Sequence, residues 1–385
     1  MQRRIIYKHL ICFAILIFIE VCLLPSGIVA GEVGSPADSA RSVEYYNDGP
    51  HVHRANDSTV IVFYLLKGAV VQNSFTLADT LRFRGFGADT ALEYLIINEP
   101  LDSEIFIFED VSKIFALSDV HGEYEYMAAI LTGAGIIDSG GHWNWGTGHL
   151  VIDGDVFDRG DMVTECLWLI YRLEQEARRA GGAVHFILGN HELMVLRGDN
   201  RYINEKYLDG IVKKTGIKHE DLYGPDMELG RWLRSLPAII KINDILFVHG
   251  GIHPYVLDYG FGIGDLNDAV RRGLDLRTSQ LAFNDTVTYL FGNEGPFWYR
   301  GYHYEMENKY PKATEDELDR ILSYFDARKI VVGHSEVDSV VGLYDNKVFA
   351  IDIPTDEFGG FQGLLWEGGR FYRVAADGAR KFLDY

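Results

Sequence analysis

Between Lys113 and His334 the chain repeats one arrangement five times: a run of three to five mostly apolar residues stops abruptly in a polar, glycine-bearing cluster. The runs are Lys113 to Leu117, Leu150 to Ile152, Val184 to Leu188, Ile245 to Val248 and Ile330 to Val332. Short runs of Val, Ile, Leu and Phe without polar alternation suit strands buried on both faces. Helical patterns over Glu123 to Thr132 and Met162 to Ala180 follow the first two of them. The pattern predicts an α/β fold whose central sheet is covered by helices, and in open sheets of that kind ligands bind beyond the carboxyl ends of the strands. Every polar cluster falls at such an end.

The clusters are Ser118-Asp119-Val120-His121-Gly122, Gly154-Asp155-Val156-Phe157-Asp158-Arg159-Gly160, Gly189-Asn190-His191-Glu192, His249-Gly250-Gly251 and Gly333-His334. They offer carboxylate, imidazole and amide groups and no thiolate, a donor set suited to Mn, Fe or Zn. A lone Asp-x-His is more often a turn than a site, but the conjunction is specific. In this order the clusters resemble the calcineurin-like metallophosphoesterases, and in particular their phosphoprotein phosphatase branch, over roughly Lys113 to Ile353.

The resemblance implies a central mixed β-sheet sandwich flanked by helices, two divalent metal ions (Mn, Fe or Zn) and hydrolysis of a phosphoester or phosphoprotein substrate. Asp119 and His121 are expected at the first metal, Asp155 between the two, and Asn190, His249 and His334 at the second. Two cations about 3.5–4 Å apart lower the pKa of a shared water from about 15.7 towards roughly 7, which makes a hydroxide nucleophile near neutral pH. Arg159 is expected to clamp the phosphate through its planar fork. His191 is expected to protonate the leaving oxygen, with Asp158 orienting its ring. A second phosphate-binding arginine is expected at Arg300, whose neighbours Trp298, Tyr299 and Tyr302 could instead line a pocket for an aromatic leaving group. Asp352 is expected to support His334, while His142, His149, His185 and His253 read as structural or loop residues. Gly122, Gly154, Gly160 and Gly250 suit tight turns close to metal or phosphate.

Ser118 stands where the phosphoprotein phosphatases usually have Gly, and the Trp298-Tyr299-Arg300-Gly301-Tyr302 segment departs from the eukaryotic serine/threonine enzymes. The chain looks more similar to the bacterial and Shewanella-like branch. A nucleotidase or dinucleoside polyphosphate hydrolase of the same fold is the alternative reading, and a non-catalytic metal-binding surface module the reading from another class.

The remaining features bound the setting. With 36 Lys+Arg against 56 Asp+Glu the formal charge is −20, which argues against a broad basic surface for nucleic acid. Arg3, Arg4 and Lys8 precede an apolar run from Leu10 to Leu24 and a small residue, Ala30. That order predicts a signal peptide over 1–30, with an uncleaved anchor as the second reading and membrane contact confined to that segment. The protein is therefore expected to be exported, to the periplasm or the extracellular side. Cleavage leaves Cys166 as the lone cysteine and no intramolecular disulfide. Asn56-Asp57-Ser58 and Asn284-Asp285-Thr286 match the glycosylation acceptor pattern. The expected organisation is a flexible start and β-rich N-terminal region over 31–110, a catalytic domain over 111–355 and a C-terminal hairpin and tail over 356–385.

Overall fold

The computed structural model describes residues 46–76, 80–84, 93–97, 105–276, 285–354 and 360–383. The expected secretion segment and the sequon at Asn284 lie outside these. The first strands, β1 (Asp48–Asn56), β2 (Thr59–Leu66) and β3 (Ala69–Thr76), form an antiparallel sheet, and β4 (Thr80–Arg84) pairs with β5 (Glu93–Ile97). These account for the β-rich N-terminal region. Val52, Val60, Val62 and Leu65 are buried, whereas β3 is exposed along nearly its whole length. The sheet is fixed to the rest of the chain where Trp168 Nε1 donates to the Pro50 carbonyl at 2.9 Å.

The strands that follow are β6 (Ile107–Phe108), β7 (Lys113–Leu117), β8 (His149–Ile152), β9 (Ala183–Phe186), β10 (Ile239–Ile242), β11 (Ile245–Val248), β12 (Lys329–Val332), β13 (Val341–Leu343), β14 (Val348–Ala350), β15 (Gln362–Glu367), β16 (Arg370–Ala375) and β17 (Arg380–Phe382). They build two six-stranded mixed sheets. The first runs β17-β16-β15-β7-β8-β9, with β7, β8 and β9 parallel and β15 antiparallel to β7. The second runs β13-β14-β12-β11-β10-β6, with β11, β12 and β14 parallel.

The two sheets pack face to face. Ile114, Ala116 and Val151 of the first meet Ile240, Phe247, Val331 and Phe349 of the second in one apolar layer. The alternate residues, Phe115, Leu117, Leu150, Ile152, Leu246, Val248 and Ile330, join the larger core shared with the helices. The central strands β7, β8, β11 and β12 are thus buried on one face by a sheet and on the other by helices, which explains the unbroken apolar runs. Burial of each such side chain contributes roughly 1.5–3 kcal/mol relative to exposure.

The longer helices are α1 (Tyr124–Gly133), α2 (Val163–Ala180), α3 (Asn190–Leu196), α4 (Glu228–Ser235), α5 (Ile263–Gly273), α6 (Asp285–Phe291) and α7 (Glu315–Tyr324). α2 stops where Gly181 adopts a left-handed conformation (φ 81°) and its N–H caps the last turn. Between α3 and α4 the chain makes only short helical turns over 205–223. The sandwich also takes in residues on both sides of 111–355: β6 pairs with β10, and the C-terminal hairpin enters the first sheet through β15.

Candidate metal centre

Five strand ends meet over the top of the sandwich. Asp119 and His121 follow β7, Asp155, Asp158 and Arg159 follow β8, Asn190 and His191 open α3 after β9, and His249 and His334 follow β11 and β12 of the second sheet. Six of these residues hold left-handed backbone: Asp119 (φ 53°), His121 (47°), Asp155 (56°), Asp158 (71°), Arg159 (63°) and His334 (62°). Such conformations cost about 1–3 kcal/mol each outside glycine and persist only where the surroundings enforce them. Here crossed backbone bonds enforce them. The N–H of Asp119 donates to Gly154 O (3.1 Å), that of His121 to Asp155 O (2.9 Å), and that of Gly160 to His121 O (2.8 Å). Glu192 adds a carboxylate that accepts from the N–H groups of Gly189 (2.7 Å), Asp155 (2.9 Å) and Val156 (2.8 Å). At Gly154 (φ 86°) a Cβ would stand 2.5 Å from His249 Nδ1, so only glycine lets that ring approach.

The side chains converge on Asp155. His249 Nε2 lies 3.2 Å and His191 Nε2 3.8 Å from Asp155 Oδ2. His249 Nε2 is also 3.0 Å from Asn190 Oδ1. Two groups share Asp155, His121 with His191 and His249 with His334, and in each the donor atoms all lie within 4.8 Å of one another. The ring orientations suit a cation. His121 Nδ1 faces Phe157 O at 2.8 Å and His249 Nδ1 faces Asp153 O at 2.7 Å. A carbonyl only accepts, so Nδ1 carries a proton in both rings and Nε2 is the atom left facing the carboxylates, Asp119 for His121 and Asp155 for His249. His334 Nε2 is buried without a hydrogen-bond partner.

Burial would raise the Asp155 carboxyl, yet the neighbouring His249 and His191 hold it well below the ordinary range. Burial raises Asp119, with Asp155 adding to the effect, and raises Asp153 strongly beside the same two acids. Burial pushes His121 down to about 4. In His191 burial opposes protonation, but Asp155 and the 2.6 Å bond from Nδ1 to Asp158 outweigh it and the ring is shifted up. A dense set of buried carboxylates, oriented nitrogens and an orphaned imidazole fits divalent cations.

Residues 112–338 match the family profile of the calcineurin-like phosphoesterases, more than half of the chain. The chain belongs to that family. Among curated proteins it is similar to Shewanella-like protein phosphatase 1 of Plasmodium berghei, 30% identical over 243 residues that cover 62% of this chain and 66% of that protein. It is also similar to Shewanella-like protein phosphatase 2 of Arabidopsis thaliana, 28% identical over 290 residues covering 64% and 72%. The crystal structure of a cold-active protein-tyrosine phosphatase from a psychrophilic Shewanella superposes with a TM-score of 0.80 at 37% identity, covering 88% of this chain and 99% of that one. As a calcineurin-like phosphoesterase the chain is a metal-dependent phosphoric ester hydrolase.

Within this phosphoesterase the residues singled out from sequence stand as follows. Asp119, His121, Asp155, Asn190, His191, His249 and His334 are brought together, all buried. Asp119 Oδ1 lies 3.9 Å from His121 Nε2, while its Oδ2 accepts from Ser118 Oγ and from the His334 N–H (3.0 Å). Asp158 binds His191, and Arg159 stands at the exposed rim. Arg300 faces His334, donating to its carbonyl and lying 3.4 Å from its Nδ1. The group beside that ring is therefore Arg300, and no hydrogen bond joins Asp352 to it. Nor do Tyr299 and Tyr302 line a pocket: both are buried in the core, and only Trp298 turns an edge to His334, at 5.6 Å. His185 and His149 pair with each other away from the centre, and His253 packs among Tyr255 and Tyr299. Sequence reasoning passed over three groups. Ser118, noted only as a departure from the family pattern, bonds Asp119; Glu192 ties the loops; Asp153 buries a carboxyl with both oxygens unpartnered. Asp153 was detectable, as an acid ending an otherwise apolar run.

Proposed function

We propose that the protein is an exported, binuclear phosphomonoesterase acting on phosphoproteins, phosphotyrosine included. The observation that carries the reading is the sharing of Asp155 by two oriented imidazole groups, with the His191–Asp158 pair beside it. The likeness to proteins named Shewanella-like protein phosphatases and to a solved tyrosine phosphatase supports the substrate class. In this reading Asp119, His121 and Asp155 would hold one cation and Asp155, Asn190, His249 and His334 would hold the other. The chemistry such cations supply is Lewis acidity towards phosphoryl oxygens and acidification of water.

The chain's own residues do the rest. Arg159 binds two phosphoryl oxygens through its fork and orients the ester, with Arg300 beside His334 as a second donor. His191 holds a proton at Nε2 and passes it to the departing oxygen, and Asp158 keeps Nδ1–H in place and stabilises the charged ring. The test is metal analysis together with turnover of para-nitrophenyl phosphate, phosphotyrosine and phosphoserine peptides, mononucleotides and a dinucleoside tetraphosphate. Metal-dependent hydrolysis led by the peptides is expected. Absence of metal-dependent hydrolysis overturns the reading, and preference for the dinucleotide turns it into the alternative. Export rests on residues 1–30: N-terminal sequencing of protein recovered outside the cytoplasm should begin near Gly31, and cytoplasmic protein retaining Met1 would refute it.

A further inference from the structure

The rim of the centre carries an ion pair that links the two sheets. Arg159, on the loop after β8, places Nη1 3.8 Å from Oε1 of Glu336, on the loop after β12, and both side chains are more than half exposed (52% and 61%). Asp158, next to Arg159 in the chain, is buried and engaged with His191. The main chain of Arg159 is fixed at both ends, its N–H donating to Tyr202 O (2.9 Å) and its carbonyl accepting from Asn204 Nδ2 (2.8 Å). The guanidinium is thus an exposed tip on a rigid base. An exposed pair at this separation contributes little stability and exchanges readily for another anion.

We propose that Glu336 is a specificity-determining residue: it competes with phosphate for Arg159 and, once displaced, leaves a negative charge at the mouth that disfavours substrates with further anionic groups and favours phosphopeptides with cationic flanks. The inference rests on the phosphate-gripping role of Arg159 given above. Glu336 touches none of the proposed cation-holding side chains, so its effect falls on substrate affinity rather than on metal content. An exposed interaction of this kind corresponds to about a twofold to fivefold effect, and it weakens as salt shortens the screening length.

The experiment uses the metal-loaded full chain as wild type, Glu336→Gln and Glu336→Lys. Calorimetric binding of inorganic phosphate should tighten in the order wild type, Gln, Lys. The ratio of kcat/KM for a lysine-flanked over an aspartate-flanked phosphotyrosine peptide should exceed one in wild type, fall about twofold to fivefold in Glu336→Gln and converge between variants at high salt. Metal content should stay equal across the three. Equal phosphate affinity in all three, or a flank ratio untouched by Glu336→Gln, overturns the inference. Should no phosphoester be turned over while phosphate affinity still rises in that order, the proposed function falls and the role of Glu336 at Arg159 stands.

Discussion

The protein buries two clusters of acids, and they differ in where the counter-charge comes from. Beneath the N-terminal sheet, Asp48 and Glu165 lie with His51 and Lys206, all less than a tenth exposed. His51 Nε2 is 2.8 Å from Asp48 Oδ2, and Lys206 Nζ is 3.6 Å from Glu165 Oε1 and also donates to the Asp161 carbonyl. Burial would raise Asp48, but His51 and Lys206 bring it below its usual value. At the strand ends, Asp119, Asp153, Asp155, Glu192 and Asp352 are buried with imidazoles only, while the arginines stand at the rim or against His334. Unpartnered oxygens occur in both clusters, Asp48 Oδ1 and Glu165 Oε2 in one and both oxygens of Asp153 in the other. Orphaned carboxylate oxygens therefore do not distinguish scaffold from site. A permanent ammonium does: the first cluster is neutralised by its own chain, whereas the second has only titratable imidazoles among its acids, which leaves it open to cations from solution.

The comparison can be broken by exchanging what each cluster needs. The largest effect is expected from Asp155→Asn, which should abolish metal retention and with it the thermal stabilisation by divalent ions. At about 1,000 times Kd that stabilisation amounts to roughly 4 kcal/mol, read as a rise in Tm in wild type. His191→Ala should lower kcat by about 10²- to 10⁴-fold while metal analysis stays at the wild-type value; lost metal would make His191 a ligand instead. Lys206→Met should do the reverse, lowering stability by about 3 kcal/mol in denaturant titrations through uncompensated Asp48 and Glu165, with the metal-induced rise in Tm intact. If Lys206→Met abolished metal binding, the two clusters would be one system.

The smallest effect belongs to Glu165. Burial raises its carboxyl to about 7, with Lys206 opposing. The folded state then holds the proton more tightly than the unfolded one, so the linked stability is full below about pH 4.5 and lost once pH passes about 7. Glu165→Gln should match wild type near pH 4.5 and exceed it by on the order of 1–3 kcal/mol at pH 8. A constant difference across that window would remove Glu165 from the account.

Much of this could be read from the chain because the informative residues follow strands directly. Lys113–Leu117 and Ile245–Val248 are strands over the predicted residues, and Asp119, His121 and His249 stand where their ends point. Strand β10 escaped because Lys241 interrupts its apolar run; the lysine is buried all the same, its Nζ reaching the carbonyls of Phe325 and Asp326. Glu192 was visible as a letter of its cluster, but its work is done on amides of the Asp155 loop, which only the fold brings near. The left-handed backbone at Asp119, Asp155 and His334 has only a weak residue-type signature, since glycine is the usual marker and Asp and His are merely enriched there. The apolar runs by themselves pointed only to a covered sheet, and the expectation of a sandwich, which the two facing sheets bear out, came from the family resemblance, because periodicity records that a face is buried and not what buries it.

The seat of β15 beside β7 has a consequence for how the molecule is made. The strand that launches Asp119 is paired on one side with β8, but on the other it waits for Gln362–Glu367, almost at the far end of the described chain. During synthesis that edge stays unpaired while the rest of the catalytic region emerges, a long interval for an apolar strand edge prone to wrong partners. Pairing so distant in sequence also slows folding, because a large loop must close before the contact repays it. The last hairpin thus acts as a late latch on the strand that carries the first acid of the site.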